Sequence, residues 1–508
     1  MRRSLLLLLL GFSAVATAFS PSWRQRSIAK NLRQLPERRS EVRDTRGFNA
    51  IRRDSNRFAN PKAAQFHVDG ANIPLVDFDV GDSWAGLLPI SSDPHETRKL
   101  YFWYFPPTVN GSENDFILWA NGGPGCSSLE GFLQENGPIS WQYGQANATR
   151  NPYSWTNLGH MLWVDQPVGT GFSEGVPDIH NETQLAAELV GFMQQFLNVF
   201  AELKGKKFYL TGESYAGKYL PNIADYMLSH PTLLDLKVQA MWLGSPALAA
   251  DVVADQAPAV NFVHKNLNVF PFNQSFLAQL DQIADKCNYN SFLEKYLTYP
   301  PPPAPFSLPG KSAEADPGCD VYTQIIEAVL LLNPAFNEYR IFDMPPILWD
   351  VLGFPGTFPQ IQSPVYFNRS DVKAAIHAPE NVSWDECNFP VFVNGVDNSP
   401  IVSWEVLPRV MNRGVPVVIV TGLADFIIQS EGTRIAIQNM TWGGSQGFQK
   451  APLPDSFILD GVGAAGTVQS ERGLTFYELP LTGHMVPQFN PPAAFQSMQF
   501  MLGSRTSP

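Results

Sequence analysis

The sequence is poor in cysteine and in charge, and it has no apolar run long enough to span a bilayer. Only 4 of its 508 residues are cysteine, and 16% are charged. The cysteines lack the close spacing of a zinc site and the His-Glu-x-x-His pattern is missing, so no metal is expected. The N-terminal apolar run Leu5–Leu10 falls well short of the roughly 20 residues of a membrane-spanning helix, and no later run is long enough, so no membrane anchor is expected.

The N-terminus has the features of an export signal. Two arginines precede the run Leu5–Leu10, and small residues follow at Ala16-Thr17-Ala18, which predicts a signal peptide over residues 1–18. Residues 19–57 are basic, poor in large apolar side chains and contain two Arg-Arg pairs, which is typical of a removable pro-segment. We therefore expect a protein made as a precursor and exported, either secreted or delivered to a vacuole.

The charge of the chain is unevenly distributed. Residues 1–57 contain 13 Lys and Arg against 4 Asp and Glu, which leaves 22 against 43 in the remainder and a net charge near −21 there. An acidic body argues against nucleic acid and anionic membranes as partners. Seven acceptor sequences for N-glycosylation agree with export; they lie at Asn110, Asn147, Asn181, Asn273, Asn368, Asn381 and Asn439.

The four cysteines predict two disulfides, because an exported protein folds in an oxidising compartment. Four cysteines allow three pairings. We favour Cys287 with Cys319, which bracket one proline-rich stretch, and Cys126 with Cys387 as the remaining pair.

Short runs rich in Val, Ile and Leu alternate with helical patterns, as in the buried strands of a mostly parallel sheet. From residue 250 to about 363 the sequence is irregular and rich in proline, which predicts an inserted cap region over 250–365 rather than a decorative loop. An α/β core is then expected over residues 58–249 and 366–508. The predicted strands are Phe116–Ala120, Met161–Asp165, Phe208–Thr211, Ala240–Leu243 and Val415–Thr421, and the predicted crossover helix is Gln184–Phe200.

Ser214 lies in a turn of small residues between a predicted strand and a helical stretch. The segment Gly212-Glu213-Ser214-Tyr215-Ala216 has the G-x-S-x-G pattern of a nucleophile elbow, with alanine in place of the last glycine. The sharp turn needs small neighbours and presents the serine hydroxyl at the start of the helix. Ser214 is therefore a candidate nucleophile.

A serine nucleophile needs a base and an orienting carboxylate, and in α/β hydrolases these follow it in the order Asp or Glu, then His. Of the three histidines after the serine, only His484 lies in a loop before a predicted terminal helix. His264 and His377 suit surface or packing positions. Asp425 directly follows the last predicted strand, where such sheets carry their chemistry. The sequence thus predicts a Ser-Asp-His triad.

The glycine-rich segment 121–125 follows another predicted strand. Its glycines allow backbone N–H groups to approach a substrate closely, as an oxyanion hole requires. A glycine-rich turn after a strand also suits phosphate binding, but the lysine of a P-loop is missing here. The segment therefore predicts an oxyanion hole.

Three segments together resemble the serine carboxypeptidase family, including its secreted and vacuolar fungal enzymes. They are WANGGPGCSS at Trp119–Ser128, GESYAG at Gly212–Gly217 and GHMVP at Gly483–Pro487. Their spacing spans about three quarters of the chain, and their combination is highly specific. The resemblance implies an α/β-hydrolase fold with a mostly parallel central sheet and an inserted cap region.

The resemblance also implies roles for individual residues. The catalytic triad is Ser214, Asp425 and His484. The oxyanion donors are the backbone N–H groups of Gly123 and Tyr215. No cofactor is expected.

Four further residues match the positions at which this family binds the terminal carboxylate of a peptide. Asn121 and Gly122 stand where their counterparts contact that carboxylate, and Glu135 and Glu213 stand where two glutamates share a proton. No arginine stands in these segments, so a protonated glutamate must donate the hydrogen bond. An acidic pH optimum follows from such a site.

The sequence departs from the family pattern at three places. Ile428 and Gln429 stand where Cys-Asn is usual after the catalytic aspartate, and Asn136 stands where leucine is common. By the resemblance, Ile428 and Met485 line the pocket for the leaving residue, so that pocket is expected to be altered.

These features predict a secreted serine-type carboxypeptidase that removes C-terminal residues of peptides and proteins through an acyl-enzyme. An acyltransferase or esterase on the same fold is the first alternative, but retention of both glutamates favours peptide ends. A catalytically silent binding protein is the second, but such a protein is expected to have lost a triad residue. The sequence does not indicate an oligomeric state.

Overall fold

The computed structural model describes residues 57–109, 111–309, 316–343, 350–353 and 365–508. The predicted signal peptide, all but the last residue of the predicted pro-segment and the acceptor Asn110 lie outside the described residues. Within the described ranges, no helix is both long and apolar enough to cross a bilayer.

An eleven-stranded sheet forms the centre of the described chain, in the order β1-β2-β3-β7-β4-β8-β9-β10-β15-β14-β13. The six strands from β7 to β15 in this order are parallel, and both flanks are antiparallel. Two further pairs, β5 with β6 and β11 with β12, are small hairpin sheets. The strands are β1 His67–Val68, β2 Ser83–Pro89, β3 Lys99–Phe105, β4 Asp115–Ala120, β5 Ile139–Ser140, β6 Thr149–Arg150, β7 His160–Asp165, β8 Lys207–Glu213, β9 Lys237–Gly244, β10 Val417–Gly422, β11 Thr441–Trp442, β12 Ser445–Gln446, β13 Phe457–Leu459, β14 Gly463–Glu471 and β15 Leu474–Leu479.

Helices cover both faces of the sheet. The α-helices are α1 Ser128–Glu130, α2 Glu182–Val199, α3 Ala216–Ser229, α4 Ala257–Lys265, α5 Gln274–Lys286, α6 Tyr289–Tyr296, α7 Val321–Leu332, α8 Ser370–Ala375, α9 Val406–Asn412, α10 Ser430–Asn439, α11 Val486–Phe489 and α12 Pro491–Met501. Short 3-10 helices lie at Pro61–Phe66, Trp155–Asn157, Ala201–Leu203, Pro317–Cys319, Tyr366–Asn368 and Val393–Gly395. Gly131–Glu135 and Val252–Gln256 are π-helical turns.

Strand β4 shows why its sequence forms a central strand. Phe116 and Leu118 are fully buried in the cluster that contains the apolar face of α2, whereas Ile117 and Trp119 are fully buried in the cluster on the opposite face of the sheet. Because successive side chains of a strand point to opposite faces, a continuous apolar run is required when both faces are covered. This is the pattern from which the strand was predicted.

The five predicted strands are all present, with ends that differ by at most three residues. The predicted crossover helix begins two residues earlier, at Glu182, because Asn181 caps it by accepting a hydrogen bond from the N–H of Gln184 at 3.0 Å. The antiparallel strands β1, β2, β3, β13 and β14 and the parallel strand β15 were not predicted from the sequence. The antiparallel strands lie on the flanks of the sheet.

The stretch from residue 250 is more regular than its sequence suggests. Its described part contains α4 to α7, which pack around a third apolar cluster. Phe426 belongs to the same cluster, so the inserted helices are anchored directly behind the loop that follows β10. The disulfide between Cys287 and Cys319 ties α5 to the start of α7.

The second disulfide joins Cys126, after β4, to Cys387, 261 residues further along the chain. Both disulfides are the favoured pairs of the sequence analysis, and no cysteine is free. The bridge fixes the loop around residue 386 against the glycine-rich segment, where Ser127 N–H donates to the carbonyl of Glu386 at 2.7 Å.

The acceptor asparagines of the described chain differ in their contacts. Asn147, Asn273 and Asn381 are exposed, and Asn181 and Asn439 are half-buried. Asn368 is also half-buried, and its Nδ2, the atom that would carry a sugar, donates to the carbonyl of Trp384 at 2.7 Å. Their glycosylation stays a prediction.

Candidate active site

Ser214 follows β8 directly and has a φ of 59°, in the left-handed region that few non-glycine residues adopt. The turn is held from both sides. Ser214 N–H donates to the carbonyl of Gly244 at 2.9 Å, and its own carbonyl accepts from Ala247 N–H at 2.9 Å. Helix α3 begins two residues later at Ala216. The segment thus has the strand-turn-helix geometry of a nucleophile elbow.

The glycine-rich segment lies against this turn. A Cβ atom at Gly122 would lie 2.4 Å from the backbone nitrogen of Tyr215 and 2.7 Å from Cβ of Ser214, so only glycine fits there. Gly123 has a φ of 106°, which also favours glycine. The sequence therefore brings two backbone segments, 122–123 and 214–215, into direct contact beside the serine.

His484 and Asp425 form a buried pair. Nδ1 of His484 lies 2.7 Å from Oδ2 of Asp425, and both side chains are at most 2% exposed. Oδ1 of Asp425 accepts hydrogen bonds from the N–H groups of Ile427 at 2.9 Å and Ile428 at 3.0 Å. The buried Nε2 of His484 has no hydrogen-bond partner among the described residues. The arrangement orients an imidazole whose second nitrogen can accept a proton.

A bridging segment, residues 338–341 of the insertion, holds both loops of this pair. Its carbonyls accept from Phe426 N–H at 3.0 Å and from His484 N–H at 2.7 Å, and Ile341 N–H donates to the carbonyl of Ala424 at 3.0 Å. A Cβ atom at Gly483 would lie 2.3 Å from the carbonyl oxygen of Tyr339, so the loop needs glycine next to His484. Sequence analysis missed this function of the insertion.

Asn121 lies at the centre of a cluster of buried acids. Its Oδ1 accepts from Trp119 Nε1 at 2.7 Å, which fixes the orientation of the amide. Its Nδ2 then donates towards Oε1 of Glu213 at 3.1 Å and Oε1 of Glu135 at 3.3 Å. The same Nδ2 donates to Glu130, a third acid that sequence analysis did not single out.

The three glutamates form one compact group. One oxygen from each lies within 4.8 Å of the other two, and the side chains are 3–6% exposed. Oε2 of Glu135 and Oε2 of Glu213 are buried and receive no hydrogen bond from another donor of the described chain. At this separation two ionised carboxylates would repel each other, which favours a proton on one of them.

Burial raises the pKa of all three acids. It raises the pKa of Glu135 to about 7, although hydrogen bonds from Glu213 and Asn121 and the charge of His484 oppose the rise. The pKa values of Glu213 and Glu130 are raised well above the usual range by burial and then by the neighbouring glutamates. The cluster therefore retains protons where isolated glutamates are ionised.

The glutamate cluster is the one group of acids in the described chain whose spacing could hold a metal ion. The amide of Asn121 points its N–H donors into this group, however, and the hydrogens of a donor repel a cation. The same donors attract carboxylates. The cluster is thus better suited to share protons and bind an anionic end group than to hold a cation.

Different surroundings hold the pocket residue Met485 and two departures from the family pattern, Ile428 and Gln429. Ile428 is half-buried and its N–H is held by Asp425, while Met485 is buried next to His484. Gln429 is buried, and its Nε2 donates to the carbonyl of Asp255 at 3.1 Å. Gln429 therefore anchors α10 to the insertion.

The two other histidines after Ser214 are on the surface, as expected. Nε2 of His264 lies 2.7 Å from Oδ1 of Asp281, and both side chains are exposed. His377 is also exposed, and its Nε2 contacts the carbonyl of His67 at 2.8 Å.

Two parts of the site were not found from the sequence. Glu130 precedes Glu135 by five residues, a separation that a regular α-helix places on different faces but that the π turn at Gly131–Glu135 brings together. The signal that could have revealed it is an acid in an otherwise apolar helical stretch. The bridging segment 338–341 carries no motif, and its role lies in backbone contacts.

The fold and the placement of the site define the class. A mostly parallel sheet carries a serine turn after β8, an aspartate after β10 and a histidine after β15, which is the α/β-hydrolase arrangement. The crystal structure of the prohormone-processing carboxypeptidase from Saccharomyces cerevisiae has the same fold. It superposes with a TM-score of 0.67 over 87% of this chain and 96% of that chain, at 21% identity.

The family follows from sequence comparison. The model of the serine carboxypeptidase family matches residues 74–504. A probable serine carboxypeptidase of Arthroderma benhamiae is 44% identical over 467 residues, covering 87% of each chain. Serine-type carboxypeptidase F of Aspergillus niger is 41% identical over 479 residues, covering 88% of each chain. The chain belongs to the serine carboxypeptidase family, as its motifs predict, and is a serine-type carboxypeptidase that acts on peptides.

Proposed function

We propose that the enzyme removes residues one at a time from the C-terminal ends of peptides through an acyl-enzyme on Ser214. The observation that carries this proposal is the placement of a buried cluster of three acids around Asn121, next to Gly122 and the serine turn. The cluster supplies a reason for the enzyme to act only at a free chain end. His484, oriented by Asp425, is the proposed base.

In the first step, Oγ of Ser214 attacks the carbonyl carbon of the last peptide bond, and its proton passes to Nε2 of His484. The N–H groups of Gly123 and Tyr215 stabilise the oxyanion. The intermediate then collapses, the C–N bond breaks, and the leaving amine takes the proton from His484. Water next attacks the acyl carbon and gives a proton to His484, and the bond from that carbon to Oγ of Ser214 breaks. Oγ takes the proton back from His484, and the shortened peptide leaves with a new carboxyl group.

We propose that Asn121, the N–H of Gly122 and the shared proton of Glu135 and Glu213 bind the terminal carboxylate of the substrate. Because burial raises the pKa of both acids, the protonated cluster persists above the pH at which free glutamate ionises. When the proton is lost, the substrate carboxylate meets a negative site. Peptide hydrolysis is therefore expected to have its optimum on the acid side.

The remaining roles follow the same resemblance. Met485 and Ile428 line the pocket of the leaving residue in this proposal. The N-terminal signal and acceptor asparagines support export to the cell exterior or to a vacuole, with removal of a pro-segment.

Mass spectrometry of a peptide library tests the proposal. Each peptide is incubated at acid pH with a free end and with an amidated end. Stepwise loss from the free C-termini, with much slower change of the amidated set, is the expected result, and the Ser214→Ala protein serves as the inactive control. Cleavage inside the peptides, or equal rates on both sets, would contradict the proposal.

A further inference from the structure

Glu130 is a third acid at the site proposed to bind the substrate carboxylate. It belongs to α1, next to the Asn121 segment, and is 6% exposed. Its Oε2 accepts a hydrogen bond from Nδ2 of Asn121, the same atom that serves Glu135 and Glu213. Glu130 thus has the same partner as the two acids of the proposed proton-sharing pair.

The hydrogen bonds of Asn121 leave this cluster short of donors. Its Oδ1 is occupied by Trp119 Nε1 at 2.7 Å and by Gly131 N–H at 3.2 Å, so the amide cannot turn round. The NH₂ group offers two hydrogens to three carboxyl groups. A substrate carboxylate adds a fourth group of acceptors. Further donors must come from the O–H groups of protonated acids.

The charges that face Glu130 are also acidic. They are Glu135 on the π turn, Glu213 at the end of β8, Glu386, Asp350 and the phenol of Tyr339 on the bridging segment. Strand β7, which packs against α1, adds the buried Asp165, whose Oδ1 accepts from the N–H of Ser128 at 2.9 Å. None of these groups is a lysine or arginine. Ionisation of any one acid therefore discourages ionisation of the next.

Counting charge gives the number of protons. With one proton on three acids the cluster carries two negative charges, and a bound peptide end makes three within a buried space. With two protons the cluster carries one charge, and the donors are two O–H groups, the two hydrogens of the Asn121 amide and the N–H of Gly122. Only the second arrangement supplies donors enough for the peptide carboxylate and the remaining ionised acid.

We propose that Glu130 is a third member of the carboxylate-binding site, so that binding of a peptide's free end requires two protons on the cluster instead of one. This inference rests on the proposed function and deepens it. It makes recognition of the free chain end a steeper function of pH than a two-carboxylate site allows.

The test measures the dissociation constant of a free-ended peptide against pH in the Ser214→Ala protein, which cannot turn the peptide over. Above the pH at which the cluster ionises, we expect the dissociation constant to rise towards a hundredfold per pH unit, since two protons are lost. With Glu130→Gln added, the rise should fall to about tenfold per unit. For the same peptide with an amidated end, the dissociation constant should show neither the hundredfold nor the tenfold rise with pH.

Glu386→Gln is the matched control, because Glu386 faces Glu130 but makes no hydrogen bond to Asn121 among those described. Glu386→Gln should shift the pH at which the dissociation constant begins to rise, but the rise per pH unit should stay as steep. If Glu386→Gln reduces the rise to tenfold and Glu130→Gln does not, the second proton belongs to Glu386 and the inference is wrong. The inference is also wrong if the dissociation constant rises only tenfold per pH unit in the Ser214→Ala protein that retains Glu130.

A second measurement needs no substitution at Glu130 and so does not depend on the folding of that variant. Calorimetric titration in buffers of different ionisation enthalpy counts the protons taken up when the peptide binds. Uptake of more than one proton per peptide is expected above neutral pH, and a count that never exceeds one contradicts the inference. If free and amidated ends bind equally at every pH, the proposed function itself fails, which is a distinct result.

Discussion

Asp425 and the glutamate cluster are equally buried acids with opposite surroundings. Each oxygen of Asp425 accepts from nitrogen donors, namely two backbone N–H groups and the imidazole of His484. The glutamates share the single amide of Asn121 and otherwise face one another. A carboxylate that is surrounded by N–H donors can carry a permanent negative charge, whereas one that is surrounded by carboxyls must hold protons.

Under the proposed function, this difference allows one small site to combine two electrostatic tasks. The base needs a fixed charge behind it while a proton moves at Nε2 of His484. The recognition of a chain end needs acids that donate hydrogen bonds. The backbone at 425–428 supplies N–H donors that stabilise a negative charge on Asp425. Few donors surround the acids at 130, 135 and 213, so these acids keep protons and can themselves donate hydrogen bonds.

The largest expected effect comes from removing the proposed nucleophile, the hydroxyl of Ser214, next to which both acidic regions lie. Ser214→Ala should lower kcat by roughly 10⁶-fold, because the nucleophile is lost and only binding and oxyanion contacts remain. Binding of a free-ended peptide should be retained, since the glutamate cluster is untouched. Single-turnover hydrolysis and peptide affinity measure the two properties. Substantial activity of the variant would assign the nucleophile to another residue.

The next effect tests the fixed charge. Asp425→Asn should reduce kcat by about 10⁴-fold, because the amide keeps the shape but favours the wrong tautomer of His484 and does not stabilise the imidazolium. The loss should be equal for free-ended peptides and amidated ones. Steady-state rates on such a pair measure it. A loss confined to free-ended peptides would mean that Asp425 acts in recognition of the chain end, and the contrast between the two regions would disappear.

The positions of Ser214, Asp425 and His484 after strands, and five of the six parallel strands, could be predicted because they leave local signals. A strand that is covered on both faces is apolar throughout, and the turn at Ser214 requires small neighbours in sequence. His484 and Asp425 follow from the order of elements along the chain. Both cysteine pairs match the prediction as well.

The parts that escaped prediction depend on contacts between distant segments. The bridging segment 338–341 acts through backbone carbonyls, which any residue possesses, so no side-chain pattern marks it. Glu130 joins its cluster through the irregular π turn after α1, where helical periodicity fails. The helices α4 to α7 were missed because the prolines between them suggested irregular structure.

Glu213→Gln tests the proton-holding region and should have a smaller effect than either triad substitution. Burial and the neighbouring acids raise the pKa of Glu213, so its proton is present at acid pH and is lost as the pH rises. KM for free-ended peptides should therefore rise with pH in the unmodified enzyme, by tenfold or more per unit, and the variant should flatten this rise. Rates on an amidated peptide should keep their pH profile.

Glu188→Gln is a suitable control, because burial raises the pKa of Glu188 to about 7, yet this residue lies on α2 and pairs with Arg98. Its removal should leave the pH dependence of KM unchanged. Coincident profiles for free and amidated peptides, unaffected by Glu213→Gln, would end the shared-proton explanation even if the triad stands.

Asp397 is an intermediate case, and it gives the smallest expected effect. Its Oδ2 accepts from the hydroxyl of Tyr215 at 2.8 Å and its Oδ1 from Ser399 N–H at 2.9 Å, while the fully buried Glu182 beside it has no such donor among the described residues. Asp397 thus resembles Asp425, because hydrogen-bond donors surround it, whereas Glu182 resembles the glutamates of the cluster, because such donors are absent from its surroundings in the described chain.

Tyr215→Phe removes the hydroxyl and leaves the backbone N–H that we assign to the oxyanion hole. A single hydrogen bond contributes about 1 kcal/mol, so kcat/KM should fall about fivefold through a less firmly held turn. The loss should be the same for free-ended and amidated peptides, because the oxyanion forms on both. Tyr226→Phe, three turns further along α3, should leave kcat/KM unchanged for both free-ended and amidated peptides. A loss that appears only with free-ended peptides would mean that Asp397 and Tyr215 take part in recognition of the chain end. Their role would then resemble that of Glu130, Glu135 and Glu213, and not that of Asp425.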